Sequence, residues 1–223
     1  MHEVKMKIII PARGGSKRIP NKNIIDLDGK PLISYVIETS LQVTNDVYIS
    51  TDSLEIEKVA KKYDVGIIKR PPKLATDFST TNSVIKHFLD TIDNVGYFAC
   101  VQPTSPLLPP FYLKKGFDKI KESGYNSIIS VNKSTNFFWN NEQEPINFER
   151  NKKPRTQDIK SWYAENGAFY ITSREDFLAT NNLVNGKVGF IIMPKIMSFE
   201  IDDHEDLNII QSVLRQKNER GVN

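Results

Sequence analysis

Short apolar runs alternate with amphipathic helical patterns along most of this chain. A run such as residues 8–11 is too short for a helix, whereas residues 31–43 carry apolar side chains at helical spacing. The predicted strands are 8–11, 47–51, 65–68, 97–101, 127–131, 167–171 and 189–193, and the predicted helices are 31–43, 54–63, 80–92, 110–123 and 203–216. This alternation predicts an α/β fold with a mostly parallel sheet and helices on both of its faces.

The alternation fails between residues 132 and 163. The chain has 223 residues, of which 39% are hydrophobic, enough for a single domain spanning 1–223 around one sizeable core. The irregular stretch is polar, yet Phe137, Phe138 and Trp139 make it too aromatic for simple disorder. Since exposed apolar clusters mark contact surfaces, we interpret 132–163 as an inserted arm that leaves the core and serves dimerisation.

Composition argues against several classes of protein. The net charge of +3 and the lack of a polybasic run disfavour a nucleic-acid partner. No apolar stretch approaches membrane-spanning length, and residues 1–5 contain no apolar leader segment. The single cysteine, Cys100, cannot form an intrachain disulfide. We therefore expect a cytoplasmic protein with neither a membrane nor a nucleic-acid partner.

The first predicted strand ends in a turn of small residues that carries four cations: Arg13, Lys17, Arg18 and Lys22. Backbone amides and cationic side chains at a strand end can together surround the oxygens of a polyphosphate. The turn contains neither the Walker motif nor the dinucleotide-binding glycine motif. A solvated basic turn is the alternative interpretation, but its place in an α/β chain favours phosphate binding.

A second candidate site contains Glu200 and Asp202, two residues apart. On an extended chain such residues point to the same side, and two carboxylates can share a hard cation such as Mg²⁺ with substrate phosphates. The alternative is an acidic helix start, in which Asp202 or Asp203 caps the last helix and Glu205 completes a capping box.

Together these segments resemble the acylneuraminate cytidylyltransferase family, the CMP-sialic acid synthetases, over nearly the whole chain. The resemblance implies a nucleotidyltransferase with a Rossmann-like core that works as a homodimer. The motifs that carry it are IPARGGSK (10–17), PNKN (20–23), STD (50–52), RP (70–71), LATD (74–77), QPTSPL (102–107), NGAFYI (166–171), EID (200–202) and DL (206–207).

The resemblance also implies a reaction, in which CTP and a nine-carbon 2-keto-3-deoxy sugar acid give a CMP-sugar and pyrophosphate. The implied cofactor is Mg²⁺ or Mn²⁺, held by Asp202 and Glu200. The implied catalytic residues are Arg13, Lys17, Lys22 and Asp202. The implied nucleotide-binding residues are Ala12, Arg13, Gly14, Ser16, Lys17, Lys22, Asn23, Arg70 and Thr81. The implied sugar-binding residues are Gln102, Arg155, Asn166 and Tyr170.

Departures from the family pattern concern the sugar side. Glu200 stands where many of these enzymes have Asp, and the segment Lys152–Arg155 is more basic than its counterpart in the N-acetylneuraminate enzymes. An N-acylneuraminate, legionaminate or pseudaminate substrate therefore stays open. The alternatives are a 3-deoxy-manno-octulosonate cytidylyltransferase and, in another class, a non-catalytic nucleotide-binding subunit.

Overall fold

A seven-stranded sheet forms the centre of the protein in the computed structural model, which describes residues 6–122 and 124–219. Residues 1–5, where the sequence predicts no leader, and Ser123, the predicted end of a helix, lie outside the described residues. The strands are β1 Met6–Pro11, β2 Asp26–Leu27, β3 Lys30–Pro31, β4 Val47–Thr51, β5 Gly66–Lys69, β6 Tyr97–Val101, β7 Ser127–Ser134, β8 Trp162–Ser173 and β9 Val188–Met193. The α-helices are α1 Leu32–Leu41, α2 Leu54–Ala60, α3 Thr81–Thr91, α4 Pro110–Glu122, α5 Arg174–Thr180 and α6 His204–Glu219.

The sheet has the strand order β5-β4-β1-β6-β8-β7-β9. β1 lies parallel between β4 and β6, and β9 lies parallel to β7. β8 runs antiparallel to both of its neighbours. The predicted mostly parallel α/β sheet is therefore confirmed, with β8 as its one reversed strand.

Helices cover both faces of the sheet. Since side chains along a strand alternate between the two faces, one strand can contribute to a core on each side. Ile8 and Ile10 of β1 are fully buried in a cluster with side chains of α1, α2 and α4. Ile9, between them, is buried in a second cluster with side chains of α3 and α5. The apolar run predicted as the first strand is thus a central strand with a core on either side.

A third, smaller core fixes the C-terminal segment beside the loop that follows β1. Ile201, Leu207 and Ile210 pack there with Ile19 of that loop and with Leu27 of the short hairpin β2–β3. The backbone N–H of Ile201 also donates to the carbonyl oxygen of Thr104 at 2.9 Å. Residues near the end of the chain are therefore held next to residues near its start.

The helices and strands lie close to their predicted positions, with three differences. β7 extends to Ser134 and β8 begins at Trp162, so the predicted irregular stretch 132–163 begins and ends as a paired ribbon. The hairpin β2–β3 and helix α5 were not predicted. Ser53 caps α2, accepting a hydrogen bond from the Ile56 N–H at 3.4 Å.

Between its paired ends the arm is organised by aromatic contacts. The Phe148 ring lies 4.8 Å from that of Phe137 and 5.3 Å from that of Trp139, centroid to centroid. The Lys153 ammonium group lies 4.2 Å from the Phe137 centroid, within cation–π range. The arm is therefore an ordered excursion, and its use in dimerisation stays a prediction.

Among the helices of the described ranges, none has the length and apolar character needed to cross a membrane.

Candidate functional site

A cavity of about 430 Å³ opens where β1 and β6 end. Ligands collect at the carboxyl ends of strands in such sheets, so the position itself indicates a binding site. Predicted nucleotide contacts that line it are Arg13, Ser16, Lys17, Lys22, Asn23, Arg70 and Thr81, and the predicted sugar contact Gln102 also lines it. Arg18, Asp77, Ser79 and Thr104 complete much of the remaining wall.

The loop after β1 is fixed by its neighbours rather than open on all sides. Ala12 is fully buried, and its N–H donates to the carbonyl oxygen of Ser50 at 2.9 Å. The Gly14 N–H donates to Oδ1 of Asp52 at 3.0 Å. A Cβ at Gly14 would lie 3.0 Å from that of Ser53, so glycine permits this close approach. Neither Ala12 nor Gly14 lines the cavity, and their nucleotide contacts stay predictions.

Asp77 binds two of the loop cations. Its Oδ1 lies 2.9 Å from Nη1 of Arg13, and its Oδ2 lies 2.6 Å from Nζ of Lys17. Lys17 first, and Arg13 with it, hold the pKa of the Asp77 carboxyl below its usual value. The carboxylate is therefore ionised at neutral pH.

Asp202 binds the other two loop cations. Nζ of Lys22 lies 3.2 Å from Oδ1 of Asp202 and donates to the carbonyl oxygen of Ile201 at 2.8 Å. Nη1 of Arg18 lies 3.4 Å from Oδ2 of Asp202. Only 15% of the Lys22 side chain is exposed, whereas 69% of Arg18 is. Asp202 and Lys22 therefore lie together, while the metal-binding role of the one and the catalytic role of the other stay predictions.

Arg70 and Asn23 form a buried part of the cavity wall. Arg70 donates from Nε to Oγ of Ser50 at 3.2 Å and from Nη2 to the Ser50 carbonyl oxygen at 2.8 Å. Burial lowers the pKa of Arg70 to about 10. Nδ2 of Asn23 donates to the Arg13 carbonyl oxygen at 3.0 Å, while its buried Oδ1 accepts no hydrogen bond from the described residues. This wall therefore offers a cation and an unused acceptor to a ligand.

Glu200 lies against the backbone of Gly167. Gly167 has φ +66°, and a Cβ at this position would overlap the Glu200 carboxylate. Burial, and then the charge of Asp202, raise the pKa of Glu200 to about 7. Nowhere in the described ranges do three or more His, Cys, Asp or Glu side chains gather to hold a metal ion. A carboxylate pair nonetheless fits Mg²⁺, which commonly takes one or two carboxylates and completes its shell with phosphates and water.

Glu200→Gln is expected to stabilise the metal-free protein at pH 8 but not at pH 4.5. Because the pKa is raised in the folded state, the ordinary value being 4.5, ionising Glu200 costs stability as pH rises through about 7. Allowing for partial solvent exposure, the gain at pH 8 is on the order of 1–2 kcal/mol. Thermal unfolding in EDTA at both pH values measures it, with Glu142→Gln on the exposed arm as control. Equal unfolding temperatures of wild type and variant at pH 8 would contradict this assignment.

Two predicted sugar contacts, Asn166 and Tyr170, lie on β8 and do not line the cavity. Asn166 is buried, donates from Nδ2 to Oγ of Ser198 at 2.8 Å and accepts at Oδ1 from the Ala168 N–H at 3.3 Å. The Tyr170 hydroxyl donates to Oε2 of Glu165 at 3.2 Å, and burial first, then Glu165, raise the pKa of Tyr170. Asn166 thus supports the glycine turn inside β8, and its role in sugar binding stays a prediction.

The fourth predicted sugar contact, Arg155, lies on the arm and outside the cavity wall. Its side chain is 74% exposed, and Nε lies 2.6 Å from Oδ2 of Asp158. Gln102 alone of the four predicted sugar residues lines the cavity, where its N–H donates to the Ala168 carbonyl oxygen at 3.0 Å. The structure therefore brings the predicted phosphate and metal residues together and leaves the sugar residues dispersed.

The acidic residues after Asp202 form the N-terminal cap of helix α6, as predicted, but the role predicted for Glu205 was wrong. Oδ1 of Asp203 accepts from the N–H groups of Glu205 and Asp206 at 2.9 and 3.0 Å. Oδ2 of Asp206 accepts in return from the N–H groups of Asp202 and Asp203 at 2.9 and 3.1 Å. Asp206, not Glu205, completes the box, because it occupies the third helical position after the cap at Asp203.

Sequence reasoning did not identify Asp77, which lines the cavity, or Asp52, which fixes the loop after β1 through the Gly14 N–H. Both lie in motifs that carried the family resemblance, STD at 50–52 and LATD at 74–77. A carboxylate has the same charge sign as a polyphosphate ligand, so charge alone gave no reason to place it in the site. The motifs were the only signal that could have found them.

A protein-family model and several curated proteins match most of this chain. The family model described as Cytidylyltransferase matches residues 7–220. N-acylneuraminate cytidylyltransferase B of Danio rerio is 35% identical over 216 residues, covering 93% of this chain and 51% of that protein. Pseudaminic acid cytidylyltransferase of Campylobacter jejuni is 30% identical over 229 residues, covering 97% of this chain and 99% of that protein. The chain spans about half the length of the first curated relatives it matches.

Solved structures share the fold. CMP:2-keto-3-deoxy-manno-octonic acid synthetase complexed with CTP has a TM-score of 0.71 and 18% identity, over 96% of this chain and 99% of that one. A 4-diphosphocytidyl-2C-methyl-D-erythritol synthase from Anaerococcus prevotii has a TM-score of 0.70 and 15% identity, over 94% and 96%. At such identities the likeness shows the architecture, which agrees with the α/β sheet described above.

Proposed function

The chain belongs to the cytidylyltransferase family, and from this membership we propose that it transfers CMP from CTP to a sugar acid. The acceptor is the anomeric hydroxyl of a nine-carbon 2-keto-3-deoxy acid, and pyrophosphate is the second product. The observation that carries the proposal is the cavity at the end of β1, which Arg13, Lys17 and Lys22 line and where Lys22 also contacts Asp202. Relatives named for N-acylneuraminate and for pseudaminic acid support the sugar class.

The protein's part in such a reaction is positioning and charge neutralisation. In phosphoryl transfer generally, little covalent chemistry falls to the protein, and cations at the phosphates stabilise the developing charge. Arg13, Lys17 and Lys22 take this role, with Ser16 as a further donor. The buried Arg70 and the unused Oδ1 of Asn23 suit the base and ribose, because a buried polar group gains most from a matching partner.

The cofactor is Mg²⁺ or Mn²⁺, held by Asp202 and Glu200. Their carboxylates are hard oxygen donors, and burial first, then the charge of Asp202, raise the pKa of Glu200, so a bound cation would favour its ionised form. When bound, the ion neutralises negative charge on the phosphate oxygens. Lys22 contacts Asp202 at 3.2 Å, and the lack of a side chain at Gly167 leaves room for the Glu200 carboxylate.

We also propose that the protein works as a homodimer in the cytoplasm. Exposed apolar side chains lie where the arm leaves the sheet: Trp162 is 40% exposed, Tyr163 45% and Ile192 49%. The Tyr163 ring contacts that of Phe190, which is 38% exposed, at 5.4 Å between centroids. A homodimer would cover this surface and would carry the arm, with Arg155, to a site that it does not reach within one chain.

A substrate panel tests the function. The protein is incubated with CTP, Mg²⁺ and, in turn, N-acetylneuraminic, legionaminic, pseudaminic and 3-deoxy-manno-octulosonic acids. Pyrophosphate release and product mass identify the acceptor. Turnover with the eight-carbon acid alone would favour the octulosonate alternative, and CTP binding without pyrophosphate from any acid would indicate a non-catalytic subunit.

Arg155→Ala is expected to raise the KM for the sugar acid by about 10-fold or more and the KM for CTP by much less. The planar guanidinium group binds a carboxylate through two parallel hydrogen bonds, which alanine cannot replace. Initial rates with each substrate varied in turn measure the two constants. Arg150→Ala, on the same arm and paired with Glu144, is the matched control. Equal changes in both KM values, or none, would argue against binding of the sugar carboxylate by Arg155.

A further inference from the structure

Asp77 lies between two of the four loop cations. Each of its carboxylate oxygens faces a different cation, Arg13 at 2.9 Å and Lys17 at 2.6 Å. A phosphate presents its oxygens to cations in the same way. Asp77 and its two partners form this contact at the open side of the cavity, since 37% of the Asp77 side chain and 76% of that of Lys17 are exposed. An external anion can therefore reach the same two cations.

A short turn presents Asp77 to the cavity. The Ser79 N–H donates to the Thr76 carbonyl oxygen at 3.2 Å, and the hydroxyls of Thr76 and Ser79 lie 2.9 Å apart. Phe78, at the tip of the turn, is 95% exposed. The turn joins Pro72–Leu74 to helix α3 and holds Asp77 at the cavity through the two ion pairs.

Asp77 and a bound triphosphate cannot keep the same positions at once. Like charges a few ångströms apart repel, and Lys17 has a single ammonium group to share between them. Asp202 differs in this respect, because its own cations, Lys22 and Arg18, face a carboxylate expected to bind the metal ion. Asp77 has no such second role among the described contacts.

We propose that Asp77 is an internal competitor for the triphosphate site: it neutralises Arg13 and Lys17 in the free protein, is displaced by the β- and γ-phosphates of CTP, and returns as pyrophosphate leaves. The inference rests on the proposed function, since it takes CTP as the substrate. Asp77 thereby lowers the affinity for every ligand that carries a pyrophosphate group and leaves the affinity for CMP unchanged. It favours release of the second product.

Calorimetric titration of CTP, pyrophosphate and CMP, with Mg²⁺ and without any sugar acid, tests this. Asp77→Asn is expected to lower the Kd for CTP and for pyrophosphate by about 3- to 10-fold, because partly exposed ion pairs compete modestly. The Kd for CMP should not change. Asp77→Glu keeps the charge and should return both affinities toward those of the wild type.

Asp90→Asn is the matched control, since it removes the same charge from an exposed ion pair with Lys86 on α3. Weaker CTP binding by Asp77→Asn would mean that Asp77 orients the cations, and would overturn the proposal. Tighter binding of CMP as well, or the same gain from Asp90→Asn, would reduce the effect to net charge and overturn it too. A wild type that binds CTP while Asp77→Asn changes nothing refutes Asp77 alone, whereas a wild type that binds neither CTP nor pyrophosphate refutes the proposed function with it.

Discussion

Asp202→Asn is expected to lower kcat by at least about 10³-fold while the protein remains folded. The substitution keeps the size of the side chain and removes the charge that Lys22 and Arg18 contact and that the proposed metal ion requires. Removal of one group that stabilises transition-state charge commonly costs two to three orders of magnitude, and loss of a metal ligand adds to this. Pyrophosphate release at saturating CTP, sugar acid and Mg²⁺ measures the effect.

The neighbouring residue provides the control for Asp202. Asp203→Asn makes the same change of charge one position along, and asparagine caps a helix about as well as aspartate does. We expect this control to keep near-normal turnover and the same unfolding temperature. Rates like those of the wild type in Asp202→Asn would remove the metal-binding role of this carboxylate.

Lys22→Met is expected to lower kcat/KM for CTP by about 10²- to 10⁴-fold. The Lys22 ammonium group is the most enclosed of the four loop cations, and methionine keeps the aliphatic part of the side chain without the charge. The substitution would remove one cation that both the phosphates of CTP and Asp202 use. Initial rates against CTP concentration give the change, and circular dichroism checks that the fold is retained.

Lys61→Met serves as the control for Lys22. Lys61 follows helix α2 and pairs with Glu57 four residues earlier, away from the cavity. Its replacement should leave kcat/KM within about twofold of the wild type, because exposed helix pairs contribute little. A loss below threefold in Lys22→Met would show that Lys22 holds Asp202 and the C-terminal segment without acting on the nucleotide.

The core of the fold could be predicted because local patterns determine it. The run at Ile8–Ile10 is apolar at every position, and a strand buried on both faces requires this. The extension of β7 to Ser134 could not be predicted in the same way. Polar residues such as Asn132 and Lys133 pair there with Ala164 and Tyr163 in a ribbon that has no buried face to enforce an apolar pattern.

The candidate site could likewise be predicted only in part. The four loop cations and Asp202 are close in space because a strand end and a capped helix bring them together. Both the strand end and the helix start can be recognised in the sequence. Asn166 has the same residue type that a sugar contact would need, yet its amide is engaged with Ser198 and Ala168. Residue type cannot distinguish a group that contacts a ligand from one that holds a turn, since both use the same hydrogen bonds.

The paired ends of the arm have a consequence for the evolution of this fold. Ser134 lies opposite Trp162 across an antiparallel ladder, so the arm starts and finishes at adjacent points of one hairpin. Closing such a loop costs free energy that grows only with the logarithm of its length. The segment between these two residues can therefore be lengthened, shortened or exchanged with small effect on the sheet.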